Sequence, residues 1–202
     1  MIWQHWGLLT PALSSLGGGE WKTGALSECA PEIARCRSGP NISPCDAEME
    51  SIWLSASIIT HSQILARSLK QWTGRGLLPV GYPAPEFAEK LFQAPFVLVS
   101  HGTEADPVLN YGNAAALALW EMSWAELTRT PSRLTAEAPD RAERARLLAA
   151  VTACGFIDDY SGVRISKTGR RFKIARATVW NLLTEDGRPG GQAAMFNEWE
   201  FL

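Results

Sequence analysis

Few residues of this 202-residue chain have the types and spacing that chemistry requires. The three histidines, His5, His61 and His101, lie far apart, so a histidine-rich metal site would have to be assembled from remote positions. Cys29, Cys36 and Cys45 are separated by six and eight residues, and Cys154 stands alone. None forms the C-x-x-C pair of a zinc or redox site, and all four read as free thiols. Asp158 and Asp159 are adjacent, and neighbours on a strand point to opposite faces, so the two carboxylates cannot address one bond. There is no G-x-S-x-G elbow. Gly17-Gly18-Gly19 leads into Glu20-Trp21 rather than the Lys-Ser/Thr of a phosphate loop. Neither a catalytic nor a metal-ligating residue is assigned.

Binding offers more candidates. Trp120 and Tyr160 supply flat faces with polar tips that could line a pocket. Asn181 and Gln192 are amides flanked by apolar residues, and a buried amide needs partners, which a ligand or the backbone supplies. Arg133 sits on an irregular crossing between Pro131 and Pro139. Its guanidinium either clamps an anionic ligand through two parallel donors or ties loop carbonyls and Glu137 together. Trp180 shares parity with Phe172 and Ile174 and reads as core. Arg164, Arg170, Arg171, Lys173 and Arg176 crowd one hairpin, and between residues 133 and 176 ten basic residues face five acidic ones. Such a cluster either attracts an acidic partner or protects a sheet edge.

The elements that must position these residues follow from periodicity. Residues 48–72 give an amphipathic helix bounded by Gly74 and Gly76, and 86–93 a short helical run ended by Pro95. Phe96 to His101 and Val108 to Tyr111 are strand candidates. Ala114 to Trp120 and Trp124 to Leu127 are short helices, the second capped by Ser123. Residues 140–154 make the clearest helix, with Asp140 near its cap, Arg141 and Arg144 outward, Ala145, Leu148 and Val151 inward, and Gly155 at its end. The period then changes to two. Residues 160–166 and 171–183 flank Thr168-Gly169, read as a two-residue hairpin loop that sets Ile165 opposite Phe172 and Val163 opposite Ile174 on one inward face. Residues 192–201 give a last strand. The order predicts an α+β fold, an antiparallel sheet of about five strands with short helices on one face plus an N-terminal helix.

Charge and composition narrow the function. The 19 Lys and Arg against 21 Asp and Glu leave a net charge of -2, so no overall basic field steers the chain onto nucleic acid. No stretch approaches the roughly 20 apolar residues of a membrane span, and the start lacks a basic segment before its apolar run. Cytoplasm is the expected compartment. Residues 1–47, with their glycines and prolines, read as a disordered leader, and translation starting at Met49 is an expectation that goes with it. Residues 48–94 read as an N-terminal helical extension and 95–202 as the main domain.

From residue 110 onward the motifs accumulate in order: Asn110-Tyr111-Gly112-Asn113, Leu119-Trp120-Glu121, Pro131-Ser132-Arg133-Leu134-Thr135-Ala136-Glu137, Arg141-Ala142-Glu143-Arg144, Gly155-Phe156-Ile157, Tyr160-Ser161-Gly162-Val163-Arg164-Ile165-Ser166, Gly169-Arg170-Arg171-Phe172, Val179-Trp180-Asn181-Leu182 and Gly191-Gln192-Ala193-Ala194. Over roughly residues 50–202 they resemble the MEKHLA domain family, of the stand-alone bacterial and algal sort. The resemblance implies a PAS-like fold and a sensory or regulatory module that binds a small ligand or a protein partner. It carries over no DNA binding, because no homeodomain or zipper is present. A flavin photochemical helix of Asn-Cys-Arg-Phe-Leu type is also absent, and no cofactor is specified. The expected ligand site comprises Trp120, Arg133, Tyr160, Asn181 and Gln192, and a homodimer through residues 48–72 is a further expectation. The alternative is a small α+β enzyme with a pocket around Arg133, Tyr160 and Gln192.

Overall fold

The computed structural model describes residues 52–137 and 141–202. The leader, Met49, the Asp140 cap and Cys29, Cys36 and Cys45 lie outside the described residues. Helix α1 (Ala56–Thr73) starts later than its amphipathic pattern, because Ser55 takes an extended conformation and its hydroxyl accepts the Ile58 N–H. Gly74, at φ 74°, ends it. Helix α2 (Ala84–Phe92) is followed by β1 (Val97–His101), β2 (Leu109–Gly112), α3 (Ala114–Trp120), α4 (Trp124–Leu127) and a 3-10 turn (Ser132–Thr135). Then come α5 (Arg141–Cys154), β3 (Phe156–Ile165), β4 (Arg171–Leu183), β5 (Pro189–Phe196) and β6 (Glu198–Phe201). The predicted last strand is thus two strands, broken at Asn197.

All six strands form one antiparallel sheet in the order β2-β1-β5-β4-β3, with β6 pairing the first half of β4. Helices α1 and α2 cover one face, the outer one, where Leu65, Leu69 and Leu91 pack on Leu98, Tyr111, Trp180 and Leu182. The inner face carries Val97, Phe172, Ile174, Ala177 and Phe196 under Ala116, Leu119 and Trp120 of α3. The apolar side of α1 is therefore buried within the chain. Among the described residues no helix is long and apolar enough to cross a membrane.

Two predicted registers are corrected. Ser166 N–H donates to the Arg170 carbonyl at 2.9 Å, and Gly169 sits at φ 89°, so the hairpin loop has three residues, Lys167 to Gly169. That one-residue slip sets Arg164 opposite Phe172 and Gly162 opposite Ile174, which turns Val163 and Ile165 away from the face that Phe172 and Ile174 share. Farther along β4, Arg176 takes a left-handed φ of 50° and adds a residue to the pleat. Trp180 is buried as predicted, but the extra residue puts it on the outer face, opposite to Phe172 and Ile174 despite their shared parity.

One buried side chain holds the first crossover together. Asn113 accepts the N–H groups of Ala116, capping α3, and of Leu98, and donates to the carbonyls of Ala94 and Phe96. Asn113→Ala is expected to cost about 2 kcal/mol, roughly 1 for the cap and at least about 1 for the orphaned Leu98 N–H. Urea denaturation of the full chain measures it, with Asn113→Asp recovering part of the loss because the acceptor returns. A change below about 0.5 kcal/mol would show that the network is dispensable.

Candidate ligand cavity

Between the inner face and α5 the sheet curves around a cavity of about 60 Å³. Its floor is the row of inward side chains that cross the strands: Val99 of β1 aligns with Ala194 of β5, which aligns with Val179 of β4. One step along, His101, Gln192 and Asn181 form the next row. Gly191 allows β5 to run this close to β1, since at its φ of 107° any Cβ would strike the His101 carbonyl. Trp120 closes the hollow on one side, Tyr160 and Arg164 of β3 on another, and Leu148 and Arg144 of α5 form its roof.

Of the five predicted site residues, Trp120, Tyr160 and Gln192 line this cavity. Asn181 sits beside it, with its amide donating to the Val151 and Thr152 carbonyls at the end of α5. Carbonyls in the last turn of a helix have acceptor capacity to spare, so this amide anchors the end of α5 to the sheet. Gln192 does the same farther in: its amide nitrogen donates to the Leu148 carbonyl at 3.0 Å, to Thr152 Oγ1 at 3.1 Å and to Asn181 Oδ1 at 3.0 Å. The two amides thus find backbone partners and pin α5 to the sheet. Arg133 is outside the lining. Its guanidinium donates through Nε to Asp106 at 2.9 Å, half exposed, and makes neither the loop ties nor the Glu137 pair.

The basic hairpin is also rearranged. Arg171 pairs with Glu137 and Arg176 with Glu198, Lys173 stands opposite Glu200, and Arg170 lies over the Phe201 ring. All four are engaged at the surface, two of them in ion pairs. Arg164 is not among them, because the register slip turns it inward. Arg144, predicted to face out, lines the cavity instead, and Ala145 is exposed.

The polar atoms that face the hollow were harder to foresee. His101 Nδ1 lies 2.9 Å from the Gly102 carbonyl, which can only accept, so Nδ1 carries the proton and Nε2 is a bare acceptor. Burial holds the ring below its ordinary pKa, and nearby Arg144 adds to that. Both His101 Nε2 and Trp120 Nε1 are buried without a hydrogen-bond partner in the protein. Buried polar groups are rarely left so. The apolar, β-branched run Phe96 to His101 did mark His101 as a strand residue, but only the register places it in this row. Among the described residues no three His, Cys, Asp or Glu side chains gather as metal ligands, and Cys154 is free and exposed at the end of α5.

An antiparallel sheet in this strand order, wrapped around short helices and a central hollow, defines a PAS/LOV-like domain. A solved structure of an RNA-binding light-oxygen-voltage receptor is similar at a TM-score of 0.50 and 19% identity, over 60% of this chain and 34% of its own. The chain spans about a third of that receptor's length. The PAS domain of a Colwellia psychrerythraea protein is similar at 0.49 and 13% identity, over 58% of this chain and 94% of its own. A fungal LOV domain photoreceptor is similar at 0.49 and 16% identity, over 77% and 99%. No curated protein matches the chain. The MEKHLA domain matches residues 59–201, and the chain belongs to the MEKHLA domain family.

Proposed function

We propose that this protein is a regulatory module that senses a small molecule held in the hollow beneath α5. The observation that carries the reading is a pair of buried, unpartnered polar atoms, His101 Nε2 and Trp120 Nε1, on residues that line the cavity. A ligand that met either of them would recover a hydrogen bond that folding leaves unmade. Its contact with α5, which the Asn181 and Gln192 amides fasten to the sheet, gives the bound state a mechanical handle on that helix. The size of the cavity argues for something small: 60 Å³ is well below the roughly 300–1,000 Å³ of pockets for drug-sized ligands.

This reading is favoured over the small enzyme, because Arg133 lies elsewhere and the Gln192 amide is committed to α5. It is favoured over docking of a second copy through residues 48–72, because the apolar side of α1 is already spent on the sheet. The proposal keeps the cytoplasm as the compartment and assigns no direct contact with nucleic acid. Native mass spectrometry of the full chain, purified without denaturation and then exposed to a metabolite library, tests it. A small molecule that stays bound in the native spectrum and is lost on unfolding is expected. A chain that carries and captures none overturns the reading.

A further inference from the structure

We propose that the ligand is a short-chain carboxylate whose anionic end is held by Arg164 and Arg144 and whose apolar body lies on Val99, Val179 and Leu148. The inference deepens the small-ligand reading and rests on it. Arg164 is only 7% exposed, and its guanidinium has five N–H donors in a fixed fork. Nη1 donates to the Val163 carbonyl at 2.7 Å and Nη2 to the Tyr160 hydroxyl at 3.2 Å, while the Tyr160 ring lies 5.4 Å from the guanidinium carbon. These contacts aim the fork without neutralising it. Gly162 leaves room for the arrangement, since a Cβ there would strike the Tyr160 hydroxyl and approach Arg164.

Among the described residues no carboxylate pairs with Arg164 or Arg144. Of the described acids near them in sequence, Asp158 is taken by Arg75 and Glu137 by Arg171, while Glu143 and Asp159 lie exposed at the surface. Burial pushes the Arg144 guanidinium down to about 10, and the Arg164 charge pushes in the same direction. A buried cation is costly unless paired, and two that line one hollow add mutual repulsion. An anion between them turns that cost into attraction, and the planar fork matches a carboxylate. A fully polar anion such as phosphate fits less well, because Val99, Leu148, Ile174 and Val179 make much of the remaining wall apolar. With about 10–15 Å³ needed per water-sized group, the 60 Å³ cavity accommodates on the order of four to six non-hydrogen atoms, which describes acids of two to four carbons.

The test uses the full chain with propionate, butyrate, their uncharged amides and inorganic phosphate, followed by thermal shift and isothermal titration. Propionate or butyrate at a tenfold excess over its dissociation constant is expected to raise the melting midpoint by about 3 °C or more, with the amides and phosphate at least tenfold weaker. Arg164→Met is expected to weaken carboxylate binding at least tenfold while the ligand-free protein melts no lower than the parent, since removing an unpaired buried charge relieves a cost. If that variant fails to fold, Arg144→Met at the rim must show the same loss of binding. Equal binding of acid and amide, preference for phosphate, or unchanged carboxylate affinity in the arginine variants overturns the carboxylate assignment. A neutral molecule co-purifying with the chain also overturns it and leaves the sensing module standing. Failure of the chain to bind any species overturns both.

Discussion

Trp180→Ala is expected to lower the unfolding free energy by about 3–5 kcal/mol, the range for deleting a fully buried large aromatic. Trp180 is inaccessible to solvent and lies at the centre of the outer core, among Leu98, Tyr111 and Leu182 of the sheet and Leu65 and Leu69 of α1. Its Nε1 has no partner in the protein, so the substitution breaks no hydrogen bond and the loss is one of packing. The surrounding side chains come from a helix and a sheet that hydrogen bonds tie together. Trp72 Nε1 of α1 donates to the Asn181 carbonyl at 2.8 Å, and Leu183 N–H donates to Ser68 Oγ at 2.9 Å. With the walls so fastened, the cavity cannot collapse to recover contacts. Equilibrium urea unfolding of the full chain measures the change, and a loss below about 1 kcal/mol would show that α1 does not pack on this face as described. Because Trp180 is on the side of the sheet away from the hollow, ligand affinity should survive in the folded fraction.

The succession of strands along the chain, the two short helices and the long helix before the hairpin were legible in the sequence because each rests on local signals. Ser123 caps α4 with Glu126 reaching back, as its position suggests, and Gly155 ends α5 in a left-handed conformation. Register was not legible. A strand's period of two says which residues share a face of that strand and nothing about which residue sits opposite. The whole inward stripe therefore depended on whether the hairpin loop had two residues or three. The bulge at Arg176 is a second case, since no local rule forbids thirteen alternating residues from running straight. Both differences moved side chains that matter. The loop length decides that Arg164, and not Val163 or Ile165, enters the core. A charged residue in an inward position breaks the polar-outside rule, and functional sites are where such breaks are expected.

The site was legible only in part for a related reason. Trp120 and Tyr160 signal themselves as large rings near turns, and Gln192 as an amide among small apolar residues. His101 and Arg144 carry no such signal: one reads as the end of a strand and the other as the solvent side of a helix. Their roles come from tertiary alignment, which sets His101 beside Gln192 across β1 and β5 and brings α5 over the same row. Arg133 shows the converse. Its place beside Pro131 suggested a cavity rim, yet Asp106, 27 residues earlier, holds it at the surface.

Lowering the pH from 7 to 5 is expected to cost the protein stability well before its carboxylates titrate. His61 of α1 sits 2.8 Å from Ser100 Oγ, and that hydroxyl gives its own proton to Asn110 Oδ1 at 2.6 Å, so His61 Nε2 carries a hydrogen. Burial pushes its pKa down from 6.5 to about 4, and His101 is displaced in the same direction, also by burial first. The unfolded chain binds protons at these rings below about 6.5 while the folded chain refuses them, so stability is fully present above that pH and is lost as pH falls toward 4. Each tenfold difference in proton affinity between the folded and unfolded chain is worth about 1.4 kcal/mol, so His61 alone accounts for about 3 kcal/mol across the window, about 2 of it between pH 6.5 and 5. The depressed pKa values of Glu121, Glu126 and Asp186 act in the same sense, but only below the ordinary carboxylate range. Urea midpoints at pH 7, 6 and 5 therefore isolate the histidines. His61→Gln, which keeps a donor toward Ser100, is expected to flatten most of that slope. A parent protein equally stable at pH 7 and 5, or a variant with the full slope, would show that His61 is not held neutral between α1 and the sheet.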